Sequence, residues 1–443
     1  MARKEIQNIN DTLQQALDLM KQAGADYAAA SFSTHQETQV KVRNDVVESL
    51  ETSKPISLDL YMRIGDKSES IELNSRSAND LHDSVAQLAA AVRRMPDNIF
   101  DRPVDSSLIS KVRTNRSLDL IDRTRVSLAT MINDARAMEA AALAVPGVSL
   151  SKGGTAGWYK ALSVSLNSRS EGFVRERTGS SRGIAVIARG ADDQRTGGEH
   201  SSAVYYDDLM SAAEIGRIAG IEAVQSLNPG KALAGNFPVV FHSDIGTSLL
   251  GHFASAISGG AVRKKTSFLT DAMDQAVFAP EINIIDNPHL LRGLASTRFS
   301  GSGMATEPMS VVEKGVLKTW FMGLEDARRL GLEKARQIRG NSNLTIEPGV
   351  LSQAELIADI KEGLFVTGLM GQGIDLTSGQ YSRAATGFWI KDGQIDYSRP
   401  VANASISANL KDMFRNMSVA NDLNRLRGSA AVPTMRVEGM SIA

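Results

Sequence analysis

Cysteine is absent from this sequence of 443 residues. Its absence excludes disulfide bonds, thiolate nucleophiles and every zinc site that needs a sulfur ligand. A chain without cysteine fits a reducing compartment. The sequence starts with MARKEIQNINDTLQQ, which lacks the apolar core of a secretory signal peptide. We therefore expect a soluble, cytoplasmic protein.

An excess of charge of either sign is also missing. Lys and Arg total 49 and Asp and Glu total 50, which leaves a formal net charge of -1. The densest basic run, Arg263-Lys264-Lys265, is short, and a solvated loop explains it better than a track for phosphates. Nucleic-acid-binding proteins usually carry a basic surplus or stripe, so we expect no nucleic-acid partner. No apolar run approaches the roughly 20 residues of a membrane-spanning helix, so we expect no membrane partner.

Familiar catalytic motifs are missing as well. None of the six histidines belongs to an HExxH motif, and no serine lies in a GxSxG elbow. His242 and His252 are ten residues apart, with Asp244 beside the first. They are candidates for a metal or hydrolase site, although isolated histidines are commonly structural. Gly371-Gln372-Gly373 lacks the spacing of a nucleotide-binding loop, and we interpret it as a tight turn or a close backbone approach to a ligand.

The first half repeats one order of elements. Periodic apolar residues predict a helix, then strands, then a second helix, and this order occurs twice. Ser77 and Asp80 have the spacing of a capping box at the start of one of these helices. We expect a pseudo-duplicated α+β domain over residues 1–230, which ends at the linker Asn228-Pro229-Gly230-Lys231.

The second half, residues 231–443, is rich in glycine and short apolar strands. Small and apolar residues predict a helix over Ile245–Ile257. Ser352 and Glu355 have the spacing of a second capping box. Lys391-Asp392-Gly393, between two apolar runs, predicts a hairpin turn. The pattern predicts a second domain of mainly antiparallel β structure with a few helices.

Four segments of the second half carry a family resemblance. They are PVVFHSDIGTSLLGHFASAISGGAVRKKTSFL (Pro238–Leu269), NPHLLRGLASTRF (Asn287–Phe299), LMGQGIDLTSGQYSRAATGFWIKDGQI (Leu369–Ile395) and ISANLKDMFRNM (Ile406–Met417). Together they resemble the TldD/PmbA family of bacterial and archaeal proteins, and more closely its PmbA (TldE) branch. The resemblance implies a two-domain α+β fold and a role in proteolysis.

The resemblance also bears on metal binding. In the TldD branch a helix carries a His-Glu-x-x-x-His motif, and a distant cysteine completes a metal site. Matching Pro238-Val239-Val240 to the corresponding strand places Gly251 and Ala256 at the histidine positions and His252 at the glutamate position. Glycine and alanine offer no donor atom, and no cysteine exists to supply the third ligand. By resemblance, this chain has no metal or other cofactor, and the metal belongs to a TldD-type partner.

The resemblance further implies a division of roles between two subunits. The TldD-type metallopeptidase subunit holds the metal, and the complex cleaves small or unfolded peptides. This chain is then the non-catalytic subunit, which completes an enclosed chamber or groove and helps to hold the peptide substrate. Proteins with partner-facing surfaces often form twofold dimers when expressed alone, so a homodimer is a further expectation.

Three residues are candidates for contact with the substrate or the partner: His252, Tyr381 and Arg383. Tyr381 and Arg383 lie in the segment with the strongest family character, after a Gly-rich turn. An arginine can pair with a peptide carboxylate through two parallel hydrogen bonds, and a tyrosine can pack and hydrogen-bond at an interface. Structural roles stay open for all three: an ion pair for Arg383, sheet packing for Tyr381, and helix packing or a surface position for His252.

Two other functions stay open at this point. A stand-alone hydrolase would use His242, Asp244 and His252, and the purified chain would be active by itself. A peptide-binding scaffold would bind peptides without cleaving them, even beside a partner. The missing metal ligands argue against the first alternative, and the family resemblance favours the peptidase subunit over the second.

Overall fold

The computed structural model describes residues 3–74, 78–124, 126–332, 338–425 and 427–443. This part of the chain forms three sheets with helices between their strands, in an α+β arrangement that confirms the predicted fold class. None of its helices combines the length and the apolar character of a membrane span. Ser77, which we predicted to begin a helix, lies outside the described residues.

The first seven strands form one sheet. They fall into two groups along the chain, and each group is preceded and followed by a helix. The first group is α1 (Arg3–Gln22), β1 (Tyr27–Arg43), β2 (Val46–Ser53), β3 (Ile56–Ile64), β4 (Lys67–Leu73) and α2 (Ala78–Arg94). The second group is α3 (Leu128–Leu143), β5 (Val148–Asn167), β6 (Gly172–Arg189), β7 (Gln194–Ala203) and α4 (Ala212–Gln225). The strand order is β4-β3-β1-β5-β6-β7, and β2 pairs with the far end of β1. The predicted repeat of helix, strands and helix is thus confirmed, with β1 and β5 paired at its centre.

The four long helices of the first half lie on one face of this sheet. Alternate residues of a strand point to the same face, and the even-numbered residues of β1 make the contacts. Ala28 and Phe32 pack in the core formed with α1 and α2. Val40 and Val42 pack in a separate core formed with α3 and α4. Each repeat therefore has its own apolar core on a shared sheet.

The second half contains a small sheet and a larger, barrel-like sheet. Its first elements are β8 (Gly235–Phe241), α5 (Ser243–Ala256), α6 (Gly259–Lys264), β9 (Ile284–Asp286), β10 (Met309–Glu313), β11 (Val316–Leu317), α7 (Leu324–Arg329) and β12 (Leu344–Ile346). The remaining elements are α8 (Gln353–Ile357), β13 (Glu362–Asp375), β14 (Gln380–Lys391), β15 (Gln394–Asn409), α9 (Leu410–Arg415), β16 (Met417–Val419) and β17 (Met435–Ile442).

The larger sheet closes on itself. Its strand order is β15-β14-β13-β8-β17-β16, and β15 also pairs with β17. The small sheet has the order β11-β10-β9-β12. Only the pairing of β8 with β13 is parallel among the strand pairings of these two sheets in the described chain. The prediction of a mainly antiparallel second half is therefore confirmed.

Short-range sequence patterns of the second half give the predicted local structures. The Ser352 hydroxyl and the Glu355 carboxylate form a reciprocal capping box at the start of α8. The turn between β14 and β15 places Asp392 and Gly393 at positive φ angles of 47° and 77°, as a tight hairpin requires. α5 begins two residues earlier than predicted, at Ser243.

Candidate functional site

The helix α5 is held in place by the strand before it and by the core beneath it. β8 ends at Phe241, and His242 follows as the N-cap residue of α5. The Nδ1 atom of His242 accepts a hydrogen bond from the backbone N–H of Asp244 at 3.4 Å. Leu249 and Phe253 anchor the helix in the main apolar core of the second half. This anchoring fixes the direction in which every other side chain of α5 points.

His252, Tyr381 and Arg383, the three residues selected from the sequence, lie together between α5 and β14. The rings of His252 and Tyr381 pack edge to face, with their centroids 6.2 Å apart. Tyr381 and Arg383 are two residues apart on β14, so their side chains share one face of the barrel-like sheet. We call these three side chains the α5–β14 cluster.

Each member of the α5–β14 cluster has a buried polar atom that forms no hydrogen bond within the described chain. These atoms are His252 Nε2, the Tyr381 hydroxyl oxygen and Arg383 Nε. Tyr381 is only 1% exposed, whereas His252 and Arg383 are half-buried. Buried polar groups of folded proteins are nearly always hydrogen-bonded. Three buried polar groups without such a partner lie side by side here, and a bound group that reached them would offset the cost of burying them.

Arg383 makes the α5–β14 cluster electropositive. Burial lowers the pKa of His252, and the charge of Arg383 lowers it further. Burial raises the pKa of Tyr381 to about 12, and the charge of Arg383 and the approach of its side chain to the Tyr381 hydroxyl oppose this shift only in part. Both rings are therefore neutral at pH 7. The guanidinium group, which keeps its proton at any accessible pH, is the one charge of the cluster.

A β-bulge lies directly opposite Arg383. Met370 of β13 pairs with Ala384 and Gly373 pairs with Ser382, so Gly371 and Gln372 together oppose the single residue Arg383. Gly371 has a φ angle of +86°, a backbone conformation that residues other than glycine rarely adopt. Bulges redirect neighbouring side chains and are frequent beside binding sites. The Gly-Gln-Gly sequence, which we interpreted as a turn or a close approach, is this bulge.

His242 belongs to a different group at the other end of α5. Its Nδ1 lies 3.0 Å from an Asp244 carboxylate oxygen. Arg427 donates to Asp244 and to Glu199 of β7, each at 2.5 Å.

His242 and His252 lie ten positions apart along α5, which corresponds to a rise of about 15 Å. The structure therefore does not assemble His242, Asp244 and His252 into one hydrolytic site. No sequence pattern indicates the pairing of Arg427 with Glu199, because the two residues lie 228 positions apart.

The residues at the positions of the family's metal motif do not fit a metal ion. Gly251 is exposed and has no side-chain donor, and Ala256 is fully buried in the apolar core. Five residues turn a helix by about 140° beyond one full turn, so these two positions do not share a face. Ser255, four residues after Gly251, does share its face, and its hydroxyl donates to the Gly251 carbonyl at 2.9 Å. Within the described ranges, no three His, Cys, Asp or Glu side chains form a group that could hold a metal.

Replacement of Gly251 by alanine is expected to stabilise the protein by about 0.5 to 1 kcal/mol. Glycine inside a helix costs about that much relative to alanine because it loses more backbone freedom on folding. A Cβ atom at Gly251 meets no other atom within 4 Å, so the gain is not offset by a clash. Urea unfolding followed by tryptophan fluorescence would measure the change in the free energy of unfolding.

Gly246 of the same helix is the matched control. A Cβ atom there lies 2.4 Å from Met435 Cε and 2.9 Å from Val432 Cγ2, and both of those side chains are buried. Gly246→Ala is therefore expected to give no gain, because overpacking of a core is destabilising. Equal stabilisation by both substitutions would contradict the distinction between the exposed and the buried face of α5.

Comparison with characterised sequences places this architecture in a family. The family profile described as PmbA/TldA metallopeptidase C-terminal domain matches residues 234–443. The Metalloprotease PmbA of Escherichia coli O157:H7 is 34% identical over 330 residues, which are 73% of this chain and 72% of that protein. The Metalloprotease PmbA homolog of Haemophilus influenzae is 29% identical over 448 residues, with 99% of this chain and 98% of that protein covered.

Solved structures agree over nearly the whole chain. A Bacteroides thetaiotaomicron protein superposes with a TM-score of 0.91 at 25% identity and covers 98% of both chains. TldE from Thermococcus kodakarensis has the same fold, with a TM-score of 0.81 at 17% identity over 98% of this chain and 100% of that one. The profile match, the E. coli relative and the shared fold lead to one conclusion: the chain belongs to the TldD/PmbA family, in its PmbA (TldE) branch.

Proposed function

We propose that this chain is the non-catalytic subunit of a heteromeric, TldD-type metallopeptidase that processes small or unfolded peptides. The observation that carries the proposal is the donor set of α5. Where the family motif has its metal ligands, this helix offers Gly251, a Ser255 hydroxyl that is turned to its own backbone, and the buried Ala256. A peptidase metal needs three protein ligands that converge on one point, so the metal and the hydrolytic water belong to the partner subunit.

The role left for this chain is to hold the peptide. The α5–β14 cluster supports this role, because each of its three side chains has a buried polar atom without a hydrogen-bond partner in the described chain. His252, Tyr381 and Arg383 then contact the substrate or the partner subunit. The separation of His242 from His252 along α5 speaks against a stand-alone hydrolase built on those residues.

The proposal extends to the setting of the complex. We place it in the cytoplasm, in line with a cysteine-free chain, without a nucleic-acid or membrane partner. A homodimer of this chain is expected when the TldD-type subunit is absent.

The proposal is tested by cleavage of an unstructured peptide with the chain alone, with a TldD-type subunit alone, and with both together. We expect cleavage that requires the TldD-type subunit, rises when this chain is added and disappears when a chelator removes the metal. Elemental analysis of the purified chain should find far less than one metal ion per molecule.

Two results would overturn the proposal. Cleavage by this chain alone, with about one bound metal ion per molecule, would make it a peptidase in its own right. Binding of peptide without any effect on cleavage by the TldD-type subunit would make it a scaffold. A catalytically inactive, metal-stripped TldD-type subunit is the control for peptide loss by adsorption.

A further inference from the structure

We infer that the α5–β14 cluster is a carboxylate-binding site, and that it takes the free C-terminal carboxylate of a bound peptide. The inference rests on the proposed function only in naming a peptide as the ligand. The chemistry of the site follows from His252, Tyr381 and Arg383 themselves.

The charge of Arg383 favours an anion as the bound group. The side chain leaves β14 on the face that also carries the buried Tyr381 and Ala385, and its neighbour across the strand pairing, Ile406, is fully buried. Among the described residues, no carboxylate forms an ion pair with Arg383, and its Nε has no acceptor. Withdrawing a charge from water without a counter-ion is costly. A bound anion is the partner that offsets this cost.

The hydrogen-bond donors of the cluster determine which acceptor groups the anion must have. The Tyr381 hydroxyl and the Arg383 Nε–H are donors, and a neutral imidazole can donate from Nε2. A ligand that satisfies these groups therefore needs several acceptor lone pairs on closely spaced oxygen atoms. A carboxylate supplies about four acceptor sites on two oxygens and matches the planar fork of a guanidinium group.

The charge of the cluster selects a monoanion. His252 is neutral at pH 7 because burial and the charge of Arg383 lower its pKa, and Tyr381 is neutral because burial raises its pKa to about 12. One positive charge balances one carboxylate. A phosphate group with a charge close to -2 would leave negative charge uncompensated in a half-buried place.

The bulge of β13 explains how a chain terminus reaches the cluster. Gly371 and Gln372 interrupt the regular pairing opposite Arg383, and no atom lies within 4 Å of a Cβ built on Gly371. The backbone beside Arg383 is therefore open rather than covered by a side chain. A peptide that ends here can place its terminal carboxylate against the guanidinium group.

The test is a comparison of two peptides that differ only at the C-terminus. An unstructured, fluorescently labelled peptide with a free carboxylate and its C-terminal amide are titrated with the purified full-length chain, and binding is followed by fluorescence anisotropy. The acid is expected to bind about tenfold more tightly than the amide, since a charge-assisted pair contributes about that factor. Equal affinity of the two peptides for the unaltered chain would overturn the inference.

Substitutions in the cluster test which residues cause the preference for the free carboxylate over the amide. Arg383→Gln is expected to reduce the ratio of acid to amide affinity to about one, Arg383→Lys to keep part of it, and Tyr381→Phe to lower it by a few-fold. Arg399→Gln is the matched control, because Arg399 lies 3.7 Å from Glu362 on an exposed surface, and it should keep the full ratio. A ratio that survives in folded Arg383→Gln would place the carboxylate elsewhere and overturn the inference.

A third peptide separates a chain terminus from an acidic side chain. It is amidated at its end and carries one internal aspartate. Binding as tight as that of the free acid would overturn the assignment to the C-terminus. Since these titrations use the chain without a TldD-type subunit and involve no cleavage, they can fail while the proposed function stands, and they can succeed where partner-dependent cleavage fails.

Discussion

Asp286→Ala is expected to lower the free energy of unfolding by about 3 to 5 kcal/mol, the usual loss when one partner of a buried ion pair is removed. Asp286 ends β9 and is 0% exposed. Its carboxylate accepts hydrogen bonds from the Ser342 backbone N–H at 2.6 Å and from the Ser342 hydroxyl at 2.8 Å. It also pairs with the guanidinium group of Arg339, which is buried as well. The substitution leaves a buried positive charge without its counter-ion.

Asp359→Ala is the matched control for this prediction. Asp359 also pairs with an arginine, Arg436, at 2.5 Å, but its side chain is 72% exposed. When this pair is broken, Arg436 keeps its ion pair with Glu438, so the loss should stay below about 1 kcal/mol. Urea unfolding of the two variants beside the unaltered protein measures the difference. Similar small losses in both would mean that water or another group replaces Asp286, and would contradict its role as the counter-ion of Arg339.

Features defined by a few neighbouring residues were predictable from the sequence. The capping box at Ser352 and the turn at Asp392 and Gly393 depend on hydrogen bonds and backbone angles within four residues. The repeated order of helix, strands and helix followed from apolar periodicity, which each element needs in order to cover its own core. The structure confirms these features because each is determined by residues close together in the sequence.

The candidate site was predictable only in part. The family resemblance singled out His252, Tyr381 and Arg383, but His252 and Tyr381 lie 129 positions apart in the sequence, and no periodicity shows that they meet. The bulge opposite Arg383 depends on the pairing register of β13 and β14, which a Gly-Gln-Gly sequence does not define. The motif match placed Ala256 at a ligand position, whereas the turn of α5 buries it and exposes Ser255.

The contacts of charged side chains between the two halves of the chain were not predictable at all. Arg427 contacts Glu199 on β7 of the first half and Asp244 in α5 of the second half. Arg175 and Arg177 of β6 donate to the carbonyl groups of Ser300 and Ser296 in the second half. A sequence does not distinguish a charged residue on the surface from one that contacts the other half of the chain. The difference becomes visible only in the packing of the two halves.

Arg427→Ala is expected to destabilise the protein by about 3 kcal/mol at pH 8 and by clearly less at pH 5. The side chain bridges Glu199, on β7 of the first sheet, and Asp244, in the first turn of α5. Glu199 is buried. When Arg427 is removed, the negative charge of the Glu199 carboxylate therefore loses its ion-pair partner. The size of the loss is that of a broken, partly buried pair.

The pH dependence follows from the two glutamates beside Arg427. Burial raises the pKa of Glu199, and Arg427 opposes that shift. Burial also raises the pKa of Glu222, helped by repulsion from Glu199 and Asp244 and opposed by Arg427. A carboxyl group with a raised pKa stabilises the folded state in its protonated form, and this contribution is lost as the pH rises through the folded-state value. Without Arg427 both pKa values rise further, so the variant regains stability on acidification.

Urea unfolding at pH 5 and pH 8 tests this expectation, with Arg399→Ala as a control whose exposed pair with Glu362 should give a small, pH-independent loss. A loss for Arg427→Ala that is equal at both pH values would assign its effect to packing rather than to charge. A loss confined to pH 8 would show that charge fixes the N-terminal end of α5 against the first sheet. The same helix carries His252 near its other end, so Arg427→Ala should then also weaken the preference for a free peptide carboxylate at the α5–β14 cluster.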